Sequence, residues 1–367
     1  MLYYLHLLQD WFSPMRVFRY ITVRSVCGAG TAFLVSLVLG PWVIRKLRIL
    51  SVGQTVRKGE APPLYVLHAK KEGTPTMGGI LIIASITLST IMWADPGSLL
   101  VWLSIATLCY MGLVGFWDDY LKVFRRRSAA GMRAWEKLVL QAVWAAAVAT
   151  VLLTNPATAE KTRNLMVPFL KEPVIPDLGV VCTLLFVSLV LIGASNAVNL
   201  TDGLDGLAIG CSGSVAFAYL IMSYAAGHAD FADYLRIPYV RGCGELAVFC
   251  GCMLGACLGF LWYNCHPASV FMGDTGSLAL GGALAMVAIL IKQELALVIV
   301  GGVFVIEAAS VILQVASFKS RGKRIFAMAP IHHHFEMKKW SETQVTVRFW
   351  ILSLIFALFG ILTLKLR

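Results

Sequence analysis

Eleven residues, Asn196-Ala-Val-Asn-Leu-Thr-Asp-Gly-Leu-Asp-Gly206, hold two carboxylates (Asp202, Asp205), two side-chain amides (Asn196, Asn199) and two glycines. Carboxylate and amide oxygens together suit hard cations and sugar hydroxyls. Glycine lets backbone come close to a ligand. The stretch separates two long apolar runs, and a plain turn there would not need this set. Similar acidic stretches recur. Gly115-Phe-Trp-Asp-Asp-Tyr-Leu-Lys122 closes another apolar run with Asp118 and Asp119 adjacent, where acids are costly near lipid. On a continuing helix those two point about 100° apart and need not serve one ligand. Lys122 stands at i+4 and i+3 from them, the spacing of a helix-surface ion pair. Phe271-Met-Gly-Asp-Thr-Gly276 sets Asp274 between glycines at the head of a further run. There it could cap a helix or lie beside a metal or phosphate that the glycines let in.

Two stretches supply cations. Lys70-Lys-Glu-Gly-Thr-Pro-Thr-Met-Gly-Gly79 offers Lys70, Lys71 and the hydroxyls of Thr74 and Thr76 to an anion, although such a loop also suits anionic lipid heads. Pro330-Ile-His-His-His-Phe-Glu336 carries three consecutive histidines. On a helix or strand they cannot all face one metal, and zinc would need other ligands at close spacing. Donation to a pyrophosphate fits them better. Arg125–Arg127, Arg133 and Lys137 add positive charge, most of it of the kind that flanks a membrane span. Acids on three edges and cations on two suit metal-assisted phosphoryl transfer. A hard cation binds carboxylate and phosphate oxygens and helps the leaving phosphate depart, and Lys and His donors supplement it.

The elements that must position these groups are membrane helices. Of 367 residues, 58% are hydrophobic and 14% charged, and the mean hydropathy is +0.77. No soluble domain of this size has that composition. A span needs about 20 apolar residues. The runs that qualify are Val23–Ile44, Met77–Trp93, Ser98–Trp117, Leu138–Leu153, Leu178–Ser195, Leu207–Ala226, Glu245–Tyr263, Ser277–Ile291, Leu295–Phe318 and Val345–Leu364. The expectation is an all-α integral membrane protein with ten transmembrane helices in one domain. Alternate connections (45–76, 118–137, 196–206, 264–276 and 319–344) carry 19 of the 31 Lys and Arg. The positive-inside rule makes those cytoplasmic, with both termini outside. Every stretch singled out above falls in that set, so the active site is expected on the cytoplasmic face.

That rule also accounts for the net charge of +11. No basic stretch is interleaved with aromatics for base stacking, so nucleic acid is excluded as a partner. Cys250, Cys252 and Cys257 lie mid-run and read as packing residues, and no disulfide framework is implied. Residues 1–20 read as an amphipathic lead-in rather than a signal peptide. Glu307 is an acid midway along the ninth run, and Gly301–Gly302 mark a place for a kink there. Glu307 has no evident partner in the sequence.

In this order, the motifs resemble the polyprenyl-phosphate N-acetylhexosamine-1-phosphate transferases over essentially the whole chain. Gly115–Lys122, Asn196–Gly206 and Phe271–Gly276 resemble that family at large. Thr74-Pro-Thr-Met-Gly-Gly79 and Pro330–Glu336 look like its phospho-N-acetylmuramoyl-pentapeptide transferase subgroup. The resemblance implies transfer of phospho-MurNAc-pentapeptide from UDP-MurNAc-pentapeptide to undecaprenyl phosphate, giving lipid I and UMP. It implies Mg²⁺ and a place in the bacterial inner membrane, within the lipid bilayer. It makes Asp274 the magnesium ligand, joined in the metal set by the paired aspartates Asp118 and Asp119; all three are catalytic, with Asp118 as base toward the acceptor phosphate. Asp202 and Asp205 match the central motif, with Asp202 at the nucleotide end. Asn196, Asn199 and Asn264 match polar positions of the site. Lys71, Lys122 and Lys137, with Thr76, match positions near the phosphates. Phe271 looks like the ring that stacks on uracil, and His332, His333 and His334 like the histidine motif, with His333 in a catalytic place. A covalent two-step route and direct displacement both stay open, as does a homodimer. Arg125–Arg127 stand where the family pattern leads one to expect lysines. Two rivals remain: a UDP-GlcNAc:undecaprenyl-phosphate transferase, against which the histidine run argues, and a membrane transporter, whose ionisable groups would lie nearer the midplane.

Overall fold

The computed structural model describes residues 2–50, 73–124 and 131–366. These residues are helical, joined by turns and an isolated bridge between Leu165 and Ile175. An apolar run in lipid has no water to satisfy its amides, so it must bond to itself as helix. Ten long helices follow: α1 Ile21–Ile49, α2 Gly79–Trp93, α3 Leu99–Phe124, α4 Ala134–Thr154, α5 Gly179–Thr201, α6 Leu207–Ala226, α7 Glu245–Asn264, α8 Gly273–Leu290, α9 Gly302–Arg321 and α10 Glu342–Leu362. Among the described residues, nine are long and apolar enough to cross a membrane. The exception is α2, with 15 residues. Of the ten spans expected, nine thus have a helix long and apolar enough, and the tenth has a shorter apolar one.

Helix α8 is the axis of the bundle. Nearly all of it is buried, and it packs on α2, α3, α5 and α6. Its small residues let those neighbours approach closely. Helices α1 and α7 make another close pair through a glycine stripe, Gly251, Gly255 and Gly259, facing the α1 backbone. A Cβ on Gly255 would lie 2.0 Å from the Ala29 carbonyl oxygen. Small residues therefore do here what large side chains do in a water-soluble core.

The boundaries differ from the apolar runs in three informative places. Helix α3 continues through Phe124, so Asp118, Asp119 and Lys122 are helical. Helix α5 continues through Thr201, so Asn196 and Asn199 project from a helix rather than a loop. In both cases polar residues extend the helix because neighbouring segments satisfy them. The run Leu295–Phe318, expected as one span, is broken at Gly301 into Ala296–Val300 and α9. Beyond α9, Gln314 clamps the following loop: its Oε1 accepts the N–H groups of Ile325 and Phe326, and its Nε2 donates to the Phe326 carbonyl. That loop leads into the short helix Ile331–Met337.

Candidate active site

One end of the bundle gathers the segments singled out in the sequence. The turn before α2 is stitched to the turn before α8: Phe271 N–H donates to the Pro75 carbonyl, and Gly78 and Gly79 N–H donate to the Phe271 and Met272 carbonyls. Contact is so close that a Cβ on Gly79 would lie 2.1 Å from the Gly276 nitrogen. Met77, between them, is held at φ 69°, a left-handed conformation that costs energy in a residue with a side chain.

Asp119 acts on helix α8 from outside. Its Oδ2 accepts from the Thr275 N–H (2.9 Å) and hydroxyl (2.8 Å), and its Oδ1 from the Asp274 N–H (3.2 Å). This is an N-cap supplied by another helix, with negative charge at the positive end of the helix dipole. Gly273 sits at φ +71°, and a Cβ there would meet Asp119 Oδ2 at 2.6 Å, so the turn requires glycine. Both Asp119 oxygens are engaged in fixing the start of α8, and with it Asp274.

Asp118 points elsewhere, as the helical offset requires. Its Oδ2 lies 2.8 Å from Lys137 Nζ and 2.9 Å from Lys122 Nζ. Asp274 Oδ2 meets the same two ammonium groups, at 2.6 and 3.0 Å. Asp274 Oδ1 accepts from Asn199 Nδ2 at 2.9 Å. Two carboxylates from α3 and α8 thus share two lysines from α3 and α4. Asp202, half-buried at the end of α5, adds a further acid. Its carboxyl accepts the Gly273 N–H, while burial and the charges of Asp274, Asp119 and Asp205 push its pKa up to about 8. Among the described residues, four acids, Asp118, Asp119, Asp202 and Asp274, face two lysines, Lys122 and Lys137, and Asp202 keeps its proton. An excess of hard oxygen donors with a proton retained on one of them is what a divalent cation would relieve. The donor set therefore fits a magnesium-like ion.

Other expected site residues do different work. Asn264 Oδ1 accepts the Gly206 N–H and its Nδ2 donates to the Val270 carbonyl, tying two loops together. Asn196 lies a turn deeper, where its Nδ2 donates to Gln141 Oε1 and the Ile192 carbonyl. Asp205 is buried. It accepts the Ala268 N–H and lies 3.1 Å from His266 Nδ1, while its own N–H donates to Glu342. Asp205, His266 and Glu342 could also hold a metal by spacing. Thr76 lies beside Gly273, and half-buried Phe271 forms the adjoining rim. Lys71, with Lys70 and Arg125–Arg127, lies outside the described residues.

The three histidines face three ways. His332 is buried against Glu307, His333 Nδ1 is 2.7 Å from Glu336 Oε2, and His334 Nδ1 accepts the Ala327 N–H. His332, expected to touch substrate, is enclosed instead. Sequence reading missed Gln141, Glu336 and His266. Gln141 is one turn from Lys137 and Glu336 three residues from His333, so helical spacing was the available signal for both. For His266 there was none.

A family model described as glycosyl transferase family 4 matches residues 100–292. A phospho-N-acetylmuramoyl-pentapeptide-transferase signature matches residues 71–83. Proteins named phospho-N-acetylmuramoyl-pentapeptide-transferase are similar throughout. The one from Methylacidiphilum infernorum is 53% identical over 368 residues, covering 100% of both chains. The one from Koribacter versatilis is 51% identical, covering 97% of this chain and 96% of its own. The one from Desulfotalea psychrophila is 53% identical, covering 99% of each.

Proposed function

The chain belongs to the phospho-N-acetylmuramoyl-pentapeptide transferases, and from that premise we propose that it transfers phospho-MurNAc-pentapeptide from UDP-MurNAc-pentapeptide to undecaprenyl phosphate. The products are lipid I and UMP, and this is the first membrane step of peptidoglycan synthesis. The observation that carries the chemistry is the slot where Asp118 and Asp274 share Lys122 and Lys137.

Asp274 and Asp118 are the residues that would hold Mg²⁺, with Asp202 within electrostatic reach. When bound, the ion neutralises the pyrophosphate and stabilises the departing UMP phosphate. Asp118 serves as base toward the acceptor phosphate. Lys122 and Lys137 turn from carboxylate to phosphate oxygens, which offer the same charge-assisted bonding. Asp119 holds Asp274 in place rather than reacting, because both its oxygens are engaged. That arrangement favours direct displacement over a covalent route through Asp119. Phe271 and Thr76 form the donor side of the cleft, with Asp202 at its nucleotide end.

The distribution of Lys and Arg supports a cytoplasmic site with both termini outside, and gathering of the site segments at one end agrees with it. The bacterial relatives support the inner membrane as location. A cytosolic donor and a lipid acceptor meet at such an edge. Full-length similarity to named pentapeptide transferases disfavours both the UDP-GlcNAc enzyme and the transporter. Purified protein with Mg²⁺ should release UMP only when both substrates are present. UDP-GlcNAc in place of UDP-MurNAc-pentapeptide should release none. Equal release from UDP-GlcNAc, or none from the full mixture, would sink the assignment.

A further inference from the structure

Glu307 lies on α9, one turn and more into the membrane run, with no measurable exposure. Its Oε2 stands 3.1 Å from Nδ1 of His332, which is equally enclosed on the short helix Ile331–Met337. Among the described residues, neither Glu307 oxygen and neither His332 ring nitrogen completes a hydrogen bond. Four buried polar atoms in that state are costly, and the approach of Glu307 Oε2 to His332 Nδ1 is the relief the geometry offers among the described residues. The opposite edge of the imidazole abuts the Asp202–Gly206 turn. A Cβ built on Gly203 would lie 2.2 Å from His332 Nε2 and 2.8 Å from Cε1. The ring is therefore wedged between a membrane-embedded acid and the glycine that follows Asp202.

We propose that Glu307 and His332 form a buried carboxylate–imidazole brace that positions the Asp202–Gly206 turn for binding of the nucleotide-sugar donor. This rests on the functional reading above. With the Nδ1 proton directed at Glu307, a small rotation of the ring completes that bond, and the same rotation moves the Nε2 edge against Gly203. The acid on α9 thereby sets the height of the turn that carries Asp202 at one end and Asp205 at the other. His332 and Glu307 are positioning residues: neither reaches the cleft. Glycine at 203 is explained by the ring lying on its Cα.

Steady-state kinetics with both substrates varied tests the brace. Glu307→Ala should raise the donor KM about tenfold, while the acceptor KM stays within about twofold. Glu307→Gln keeps an oxygen for the Nδ1 proton and should recover most of that loss. Gly203→Ala should raise the donor KM as well, and Glu307→Ala with Gly203→Ala should fall clearly short of the product of the two, since both disturb one contact. Multiplicative effects, equal losses in Glu307→Ala and Glu307→Gln, or an unchanged donor KM in Glu307→Ala would overturn the proposal. If Glu307→Ala does not fold, His332→Gln combined with Gly203→Ala closes the same cycle. Failure of the wild-type protein to release UMP would instead strike the functional reading.

Discussion

The two ends of the bundle treat buried charge in opposite ways. At the end away from the candidate site, charges cancel one for one. Arg24 makes a two-pronged pair with Glu245, both contacts 2.6 Å, and also reaches the Trp93 carbonyl, while the Asp95 N–H donates to Glu245. Lys292 lies 2.5 Å from Glu294 and donates to the Thr162 carbonyl, and the Tyr219 hydroxyl bonds the Gln293 carbonyl beside them. At the site end, acids outnumber cations among the described residues, and Lys122 and Lys137 are each shared between Asp118 and Asp274. A pair that satisfies itself has nothing left for a ligand. Shared lysines and surplus acids do, and that imbalance marks the functional end more clearly than the number of polar residues.

If the contrast holds, substitutions at the two ends separate activity from stability. The largest effect belongs to the site. Asp274→Asn and Asp118→Asn should each lower the rate of UMP release by at least about a thousandfold, the scale of several kcal/mol of charge stabilisation. Their thermal midpoints should stay near wild type, because no self-contained pair is broken. Near-wild-type turnover in either would remove the distinction. Next in size, Arg24→Ala should cost about 3 kcal/mol of stability, since it strands a buried carboxylate. The rate per folded molecule should not change. Arg24→Met combined with Glu245→Leu should recover most of that loss in a thermal-melt comparison, and failure to do so would mean that the pair does more than cancel itself.

The smallest effect sharpens the comparison through pH. Native Asp202 holds its proton to about 8, whereas an unfolded aspartate loses it near 4. Between those values the native state binds more protons than the unfolded one, so stability falls as pH rises through that window. In metal-free protein, melts from pH 5 to 9 should show this decline, and Asp202→Asn should flatten it. Added Mg²⁺ should flatten it too, because a nearby cation favours the ionised acid. A decline that persists in Asp202→Asn would place the titrating group elsewhere.

Much of the molecule is legible along the chain for a plain reason. Apolar runs in lipid can only be helices, so the class of fold and the approximate place of each span follow from composition and length. Adjacent Asp118 and Asp119 could also be separated in advance, since consecutive helical residues point apart. What each one does could not. Asp119 becomes a cap for α8 and Asp118 a partner of Lys137 because of which helices pack against α3, and that depends on glycine contacts scattered through the sequence. Asn196 and Asn199 look alike as neighbours in one motif. One extra turn of α5 sends the first to Gln141 and brings the second to Asp274.

Residue type and local spacing were enough to establish that this is a helical membrane protein with acids and cations collected on one set of connections. Chain folding alone assigned the partners beyond helical spacing: Glu307 to His332, Asp205 to His266 and Glu342, and Asp118 to Lys137. The physical reason is range. Helix formation in lipid is settled within a few residues, by the need of each amide for a nearby carbonyl. Pairing of a buried charge is settled across dozens to hundreds of residues, by whichever side chain close packing delivers to it.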